Sequence, residues 1–285
     1  MGYINYNGAV LKQDTAIITA DSRALRYGDG IFETLKLWQG NILFANEHFA
    51  RLWRGMQLFQ FDIPKHFSPE KLQDQIIALA QKNGHQNAAR IRLAIYRGDG
   101  GLYDAKNHFP NYVIQTWPLP QGNGEWNSNG LVLGFYNQAV KPCDSFSNCK
   151  HNNYLPYVMG ALFAKQQKWN DAIIFNSNAT ICDTTIANIF IIKNSIVYTP
   201  PLADGCVAGI IRAALLIHLK AVQYTVIEQP LHKEDILAAD EVFLTNSIYN
   251  IRWVQRIDAV SFTNTLTQKI YASFVPTMAA TYSTV

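Results

Sequence analysis

Apolar and polar residues alternate in short runs near the start of the chain, over Tyr3 to Asn7 and again over Ile31 to Trp38, where a Gln39-Gly40-Asn41 turn closes the second run. A period of two puts alternate side chains on one face, so both runs predict half-buried strands. The spacing then lengthens. From Glu47 to Phe59 the residues Phe49, Leu52, Trp53 and Met56 fall on one face of a helix, with Asn46 as the expected N-cap. Pro69 opens a second helix that carries Leu72, Ile76, Leu79 and Ala80 on one side and stops at Asn83-Gly84. Strands are expected at Ala89 to Tyr96 and Tyr112 to Trp117. The polar run from Gln121 to Gly130, led in by Pro118-Leu119-Pro120, has the composition of a linker.

Beyond it, Leu131 to Tyr136 predicts a strand, Leu155 to Lys168 a helix, and Ala172 to Phe175 a short buried strand. Ala187 to Lys193 and Ile196 to Tyr198, joined by Asn194-Ser195, predict a hairpin. Gly209 opens a helix running to about Ala221, and Tyr224 to Glu228 and Glu241 to Thr245 read as strands. Strands and helices are mixed without the regular alternation of a doubly wound sheet, so the expected class is α+β. The expected division is a small N-terminal α/β domain over residues 1–120, a linker over 121–130, and a larger C-terminal domain over 131–285.

Composition narrows the function classes. The 285 residues carry a formal net charge of +3 from well-mixed acids and bases, which points away from a nucleic-acid partner. No stretch approaches the roughly eighteen apolar residues of a membrane span, and the first residues lack the basic and apolar blocks of a leader, so no membrane partner is expected and the location is read as cytoplasmic. Cys143, Cys149, Cys182 and Cys206 show neither CxxC spacing nor histidine partners at metal-ligand intervals. They are read as reduced thiols, with no metal site.

Several places could hold an anion. Gly209-Ile210-Ile211-Arg212 stands where a loop enters a predicted helix, and free N–H groups and the helix dipole there favour a phosphate. Thr245-Asn246-Ser247 follows directly on a predicted strand, as ligand-facing hydroxyls and plain turns both do. Arg51 lies on the first amphipathic helix, where a rim arginine is the ordinary alternative. Lys150, in Cys149-Lys150-His151-Asn152-Asn153-Tyr154, precedes a predicted helix. A lysine becomes a nucleophile when burial or neighbouring cations lower its proton affinity, which spacing alone does not decide.

The order of motifs resembles the fold type IV pyridoxal-phosphate enzymes: branched-chain aminotransferases, D-amino acid aminotransferases and aminodeoxychorismate lyases. The likeness runs from Asn7-Gly8 to about Val254. It includes Arg26-Tyr27-Gly28-Asp29-Gly30-Ile31-Phe32-Glu33, Glu47-His48-Phe49-Ala50-Arg51-Leu52 and Arg97-Gly98-Asp99-Gly100-Gly101. It continues through Lys150-His151-Asn152-Asn153-Tyr154-Leu155, Ala187-Asn188-Ile189-Phe190, Tyr198-Thr199-Pro200-Pro201, Gly209-Ile210-Ile211-Arg212 and Glu241-Val242-Phe243-Leu244. The resemblance implies a two-domain, D-amino acid aminotransferase-like architecture, with pyridoxal 5'-phosphate bound in the C-terminal domain, and a homodimer. It implies that Lys150 carries the cofactor and shuttles the substrate proton, and that Arg51, the amides of Ile210 and Ile211, and Ser247 hold the phosphate. It further implies that Val207 packs on the pyridine ring and Tyr154 bonds its phenolic oxygen.

One departure touches the chemistry. The family has glutamate followed by glycine five residues ahead of the asparagine matched by Asn188; this chain has Asp183 and Thr184. The carboxylate keeps the pyridine nitrogen protonated, so Asp183 supplies the same charge one methylene shorter. Ile211 likewise stands where the family has threonine. The reaction is left open between an aminotransferase, favoured by Gly30-Ile31-Phe32-Glu33-Thr34, and an aminodeoxychorismate lyase, favoured by Arg97-Gly98-Asp99-Gly100-Gly101 and Lys150-His151-Asn152-Asn153. A homologue that binds the cofactor with little turnover is the third reading. Phe32, Lys36 and Arg92 are candidates to hold an amino acid or 2-oxo acid, with an exposed strand face or an ion pair as the alternative for the two basic residues.

Overall fold

The computed structural model describes residues 2–120 and 123–283; the linker positions Gln121 and Gly122 lie outside the described residues. The chain forms two compact units. One is built on residues 2–120 with Cys149–Asn153 added, and the other takes residues 123–148 and Tyr154–Thr281.

The first unit contains β1 (Tyr3–Tyr6), β2 (Ala9–Lys12), α1 (Arg23–Tyr27), β3 (Gly30–Trp38), β4 (Asn41–Ile42), α2 (Ala45–Leu58), α3 (Pro69–Lys82), β5 (Ala88–Arg97) and β6 (Pro110–Trp117). Its antiparallel sheet has the order β2-β1-β6-β5-β3-β4. The odd positions of β3, Ile31, Leu35 and Leu37, pack with Phe49, Leu52 and Met56 of α2 and with Leu72, Ile76 and Leu79 of α3. Burying each such side chain stabilises by about 1.5–3 kcal/mol, which is what fixes the strand's register. The N-cap of α2 is Phe44, in a left-handed conformation with φ 56, and not the expected Asn46. Leu43 and Phe44 are both buried, and Leu43 N donates to Lys36 O, so core packing at the end of the hairpin sets the entry angle in place of a capping side chain. α3 starts as Pro69 predicts, with that residue in the first turn; the structure adds a cap, Ser68 accepting from Lys71 N at 3.3 Å.

The second unit contains β7 (Leu131–Lys141), α4 (Leu155–Gln166), β8 (Asp171–Asn176), β9 (Ile181–Thr184), β10 (Asn188–Lys193), β11 (Ile196–Thr199), α5 (Ile210–Ala221), β12 (Val226–Glu228), α6 (Lys233–Leu237), β13 (Glu241–Asn246), β14 (Asn250–Ile257), β15 (Val260–Ser261) and α7 (Thr265–Ser283). The sheet is mixed, in the order β12-β11-β10-β13-β14-β7-β8-β9, with β15 beside β14. The pairs β11/β12, β14/β7 and β7/β8 are parallel. The polar run after residue 122 docks on β14: the Asn127 side chain exchanges hydrogen bonds with the Trp253 backbone, and Trp253 Nε1 donates to Asn127 O at 2.6 Å. Eight of the labelled elements, β2, α1, β4, β9, α6, β14, β15 and α7, have no counterpart in the sequence-based expectation. No helix among the described residues is long and apolar enough to cross a membrane.

Candidate functional site

Lys150 is held in the first unit by backbone pairing to β3. Phe32 N donates to Lys150 O at 2.8 Å and Asn152 N to Gly30 O at 2.9 Å, around an antiparallel bridge between Ile31 and His151. Gly30 permits this approach, because a Cβ there would stand 2.8 Å from Asn152 Nδ2 and 2.4 Å from Ile95 O. Lys150 is therefore opposite Phe32, and opposed residues share a face. Its Nζ lies 4.6 Å from the Phe32 ring centre. On the same face follow Lys36 of β3 and, across on β5, Arg92, which pairs with Thr34 and sets its guanidinium 3.8 Å over the Phe32 ring. Phe32 and Lys36 are buried, and burial pushes the Lys36 amine down to about 8.

Arg51 occupies the opposite, helix-covered face. Its Nε donates to Glu33 Oε1 at 2.8 Å and its Nη2 to Glu33 Oε2 at 2.5 Å, and His48 Nδ1 lies 2.7 Å from the same Oε2. Burial alone would raise the Glu33 carboxyl, but the Arg51 and His48 contacts outweigh it and bring the carboxyl down to about 2. Burial lowers His48, so the network assigns a neutral ring whose Nδ1–H donates to Glu33. The Arg97 guanidinium is occupied by Asp29, the carbonyls of Phe59 and Gln60, and His108, while Tyr103 is exposed.

In the second unit Asp183 stands at the centre of a buried cluster. Tyr157 Oη donates to Oδ2 at 2.8 Å, Val207 N to Oδ2 at 2.9 Å and Asn188 Nδ2 to Oδ1 at 2.8 Å. Lys141 Nζ lies 3.6 Å from Oδ2. Burial pushes the Asp183 carboxyl up, more than Lys141 and these donors pull it down. Burial holds the Tyr157 hydroxyl well above its ordinary value, so it remains a donor. Tyr154, at the N-cap of α4, packs on Tyr157 with ring centres 4.5 Å apart.

The Asn188 amide links this carboxylate to the start of α5. It also donates to Val207 O at 2.9 Å, and a Cβ on Gly209 would fall 1.9 Å from its Oδ1. Gly209 is the N-cap of α5 with no side-chain cap, so the first-turn amides, those of Ile210 and Ile211 included, lack intrahelical partners and point outward. Thr245 pairs with Asn188 across β10 and β13 and shares its face. It is buried, and its Oγ1 has no partner among the described residues. Ser247 is part-buried in the turn just beyond.

Tyr154, Asp183, Val207, Ile210 and Ile211 are thus brought together in one unit; Phe32, Lys36, Arg92 and Lys150 share a sheet face in the other, with Arg51 behind it. Sequence reasoning missed Lys141, Tyr157 and the Glu33–His48 contact. Tyr157 carries a signal, one helical turn after Tyr154. Glu33 carries another, an acid at a core-facing strand position opposite a helix with His48 and Arg51 three residues apart.

A family model for amino-transferase class IV matches residues 30–257. The chain is 28% identical over 239 residues to the aminodeoxychorismate lyase of Vibrio harveyi, covering 83% of this chain and 86% of that one. It is 26% identical over 269 residues to the branched-chain-amino-acid aminotransferase of Salmonella typhimurium, covering 90% and 85%. The solved branched-chain aminotransferase of Thermoproteus uzoniensis with norvaline superposes with a TM-score of 0.87 at 22% identity, covering 98% of this chain and 95% of that one. With the family match spanning most of both units, the chain belongs to the class IV aminotransferases, a pyridoxal-phosphate-dependent family.

Proposed function

We propose that the chain is a branched-chain-type aminotransferase that moves an amino group between an amino acid and a 2-oxo acid, with residues 131–285 as its cofactor-binding domain. The observation that carries the reading is the run from the Asp183 carboxylate through the Asn188 amide to the uncapped start of α5. It offers an acceptor for a ring nitrogen and, beside it, donors for a phosphate, with the partnerless Thr245 hydroxyl on the same face. This set fits pyridoxal 5'-phosphate. When bound, the cofactor supplies the electron sink for the charge released as the amino acid loses its α-proton.

Each residue has a task in this reading. Lys150 Nζ anchors the cofactor covalently and moves the proton at the substrate α-carbon. Asp183 holds a proton at the ring nitrogen, and Val207 packs on the ring. Tyr154 donates to the phenolic oxygen. The amides of Ile210 and Ile211, the Ser247 hydroxyl and the Arg51 guanidinium bind the phosphate, with Glu33 and His48 orienting Arg51. Phe32 closes off water beside Lys150, and Lys36 and Arg92 bind the substrate carboxylate. The working form is a cytoplasmic homodimer acting on small molecules, with no nucleic-acid or membrane partner.

The likeness to the Vibrio harveyi lyase supports a second reading, release of pyruvate from aminodeoxychorismate. Borohydride reduction of the protein with pyridoxal phosphate, followed by peptide mass spectrometry, should fix the cofactor mass on Lys150 and nowhere in Lys150→Ala. Conversion of branched-chain amino acids with 2-oxoglutarate then supports the aminotransferase, and pyruvate from aminodeoxychorismate alone supports the lyase. An unmodified Lys150 peptide refutes both.

A further inference from the structure

Lys141 is an ammonium group for which neither the sequence nor the family assignment supplies a use. It is 3% exposed, and its Nζ has no hydrogen-bond partner among the described residues. A buried cation left so is costly unless a nearby anion compensates it. The anion is Asp183, with Oδ2 at 3.6 Å, beyond hydrogen-bond length but within ion-pair reach. The Tyr157 ring adds a face at 5.3 Å.

The backbone is shaped to produce this pairing. β7 and β8 run in register to Tyr136 opposite Ile174, and the next pairs are Val140 with Phe175 and Lys141 with Asn176. Residues 137–139 are thus extra on β7. Simple alternation would put Lys141 on the face opposite Tyr136. The irregularity turns it to the Tyr136 side, which is the side of Ile174 and of Asp183, the partner of Ile174 across β8 and β9. A second irregularity, between Ile174 and Phe175, lies in the β8/β9 pairing beside Asp183.

We propose that Lys141 is the counter-ion of Asp183, a positioning residue that keeps this shortened carboxylate ionised in the apo-protein and so ready to hold a proton on the ring nitrogen. The cofactor half of this inference rests on the role given to Asp183 above. Of the titratable groups beside the pair, Tyr157 on α4, Cys182 on β9 and Cys206 before α5 are pushed up by burial and stay neutral at neutral pH; Arg212 and Asp204 act on Cys206. Lys141, 3.6 Å from Oδ2, is the cation that pulls against the burial of Asp183 and offsets part of it. The three donors to the carboxylate fix its direction, and Lys141 fixes its charge.

The test uses apo-protein and infrared spectroscopy at neutral pH, with each form compared to the same form carrying Asp183→Asn so that the Asp183 band is identified by difference. Wild type and Lys141→Arg should show an ionised carboxylate, and Lys141→Met a protonated carboxyl. Lys141→Gln, uncharged but polar, reads the same quantity if the Met variant does not fold. An ionised Asp183 in the uncharged variants overturns the inference. In parallel, wild type should prefer pyridoxal phosphate over its 1-deaza analogue, which lacks the ring nitrogen, by about tenfold, the worth of one charge-assisted hydrogen bond. Asp183→Asn should lose that preference. If the preference survives in Asp183→Asn while the infrared result holds, the ring-nitrogen role of Asp183 is wrong and Lys141 is a counter-ion without a part in cofactor binding.

Discussion

Replacing Glu33 by Gln in the apo-protein tests whether the pair with Arg51 is as strong as its geometry implies. The folded carboxyl sits at about 2 against an ordinary 4.5. At about 1.4 kcal/mol per pH unit, that gap is worth about 3 kcal/mol of folding free energy. Because the folded value is depressed, this stability is fully present above pH 4.5 and is lost as pH falls toward 2. The Gln side chain keeps the shape and removes the charge that Glu33 sets against the 9%-exposed Arg51 guanidinium. Breaking a buried pair from one side costs about 3–5 kcal/mol, a large part of a domain's typical stability. Urea unfolding at pH 7 should show a loss of that size for Glu33→Gln, and the gap from wild type should narrow as pH drops below 4.5. The double variant Glu33→Leu with Arg51→Met should recover part of the loss, since an apolar replacement leaves no charge stranded. A loss below about 1 kcal/mol at pH 7, or a gap that does not change with pH, refutes the reasoning.

Three further outcomes follow from the same geometry. If Lys36 binds the substrate carboxylate, KM for the amino acid should rise as pH passes about 8, where the amine loses its proton; Lys36→Met should show a high KM with no such rise. Gly209→Ala brings a Cβ within 1.9 Å of Asn188 Oδ1 and must displace that amide, so fluorescence titration should show pyridoxal phosphate binding weaker by about tenfold or more. Met56 is fully buried between sheet and helices, so Met56→Ala should lower stability by about 2–5 kcal/mol in urea unfolding.

The sequence was legible where one periodicity governed a whole element. α3 shows this best: its buried residues Leu72, Ile76, Leu79 and Ala80 are the four the spacing picked out, and Pro69 gives its start in local chemistry. It was illegible where burial erased the period. β9 is buried at all four positions, and its pairing shifts register within four residues, so Ile181-Cys182-Asp183-Thr184 shows no alternation to read. At Phe44 a core contact displaced the capping preference that pointed to Asn46.

The candidate chemistry divides along the same line. Lys150, Arg51 and the α5 start were singled out as candidates by the order of motifs, which depends on residue identity at fixed spacing. Lys141 was not, because its importance comes from extra residues in β7 that reverse the face on which alternation would put it. Asp183 lies between the two cases. Its identity was read as a shortened carboxylate, but a shorter side chain moves only the acceptor atoms, whereas the charge they carry depends on what surrounds them. In the fold it gains Tyr157, Asn188, the Val207 amide and Lys141 from four separate stretches of chain, and no spacing rule within one stretch reports such a convergence. The missing methylene is therefore a small perturbation beside the ammonium group that faces it, and the behaviour of the carboxylate should follow substitutions at Lys141 more closely than the length of its own side chain.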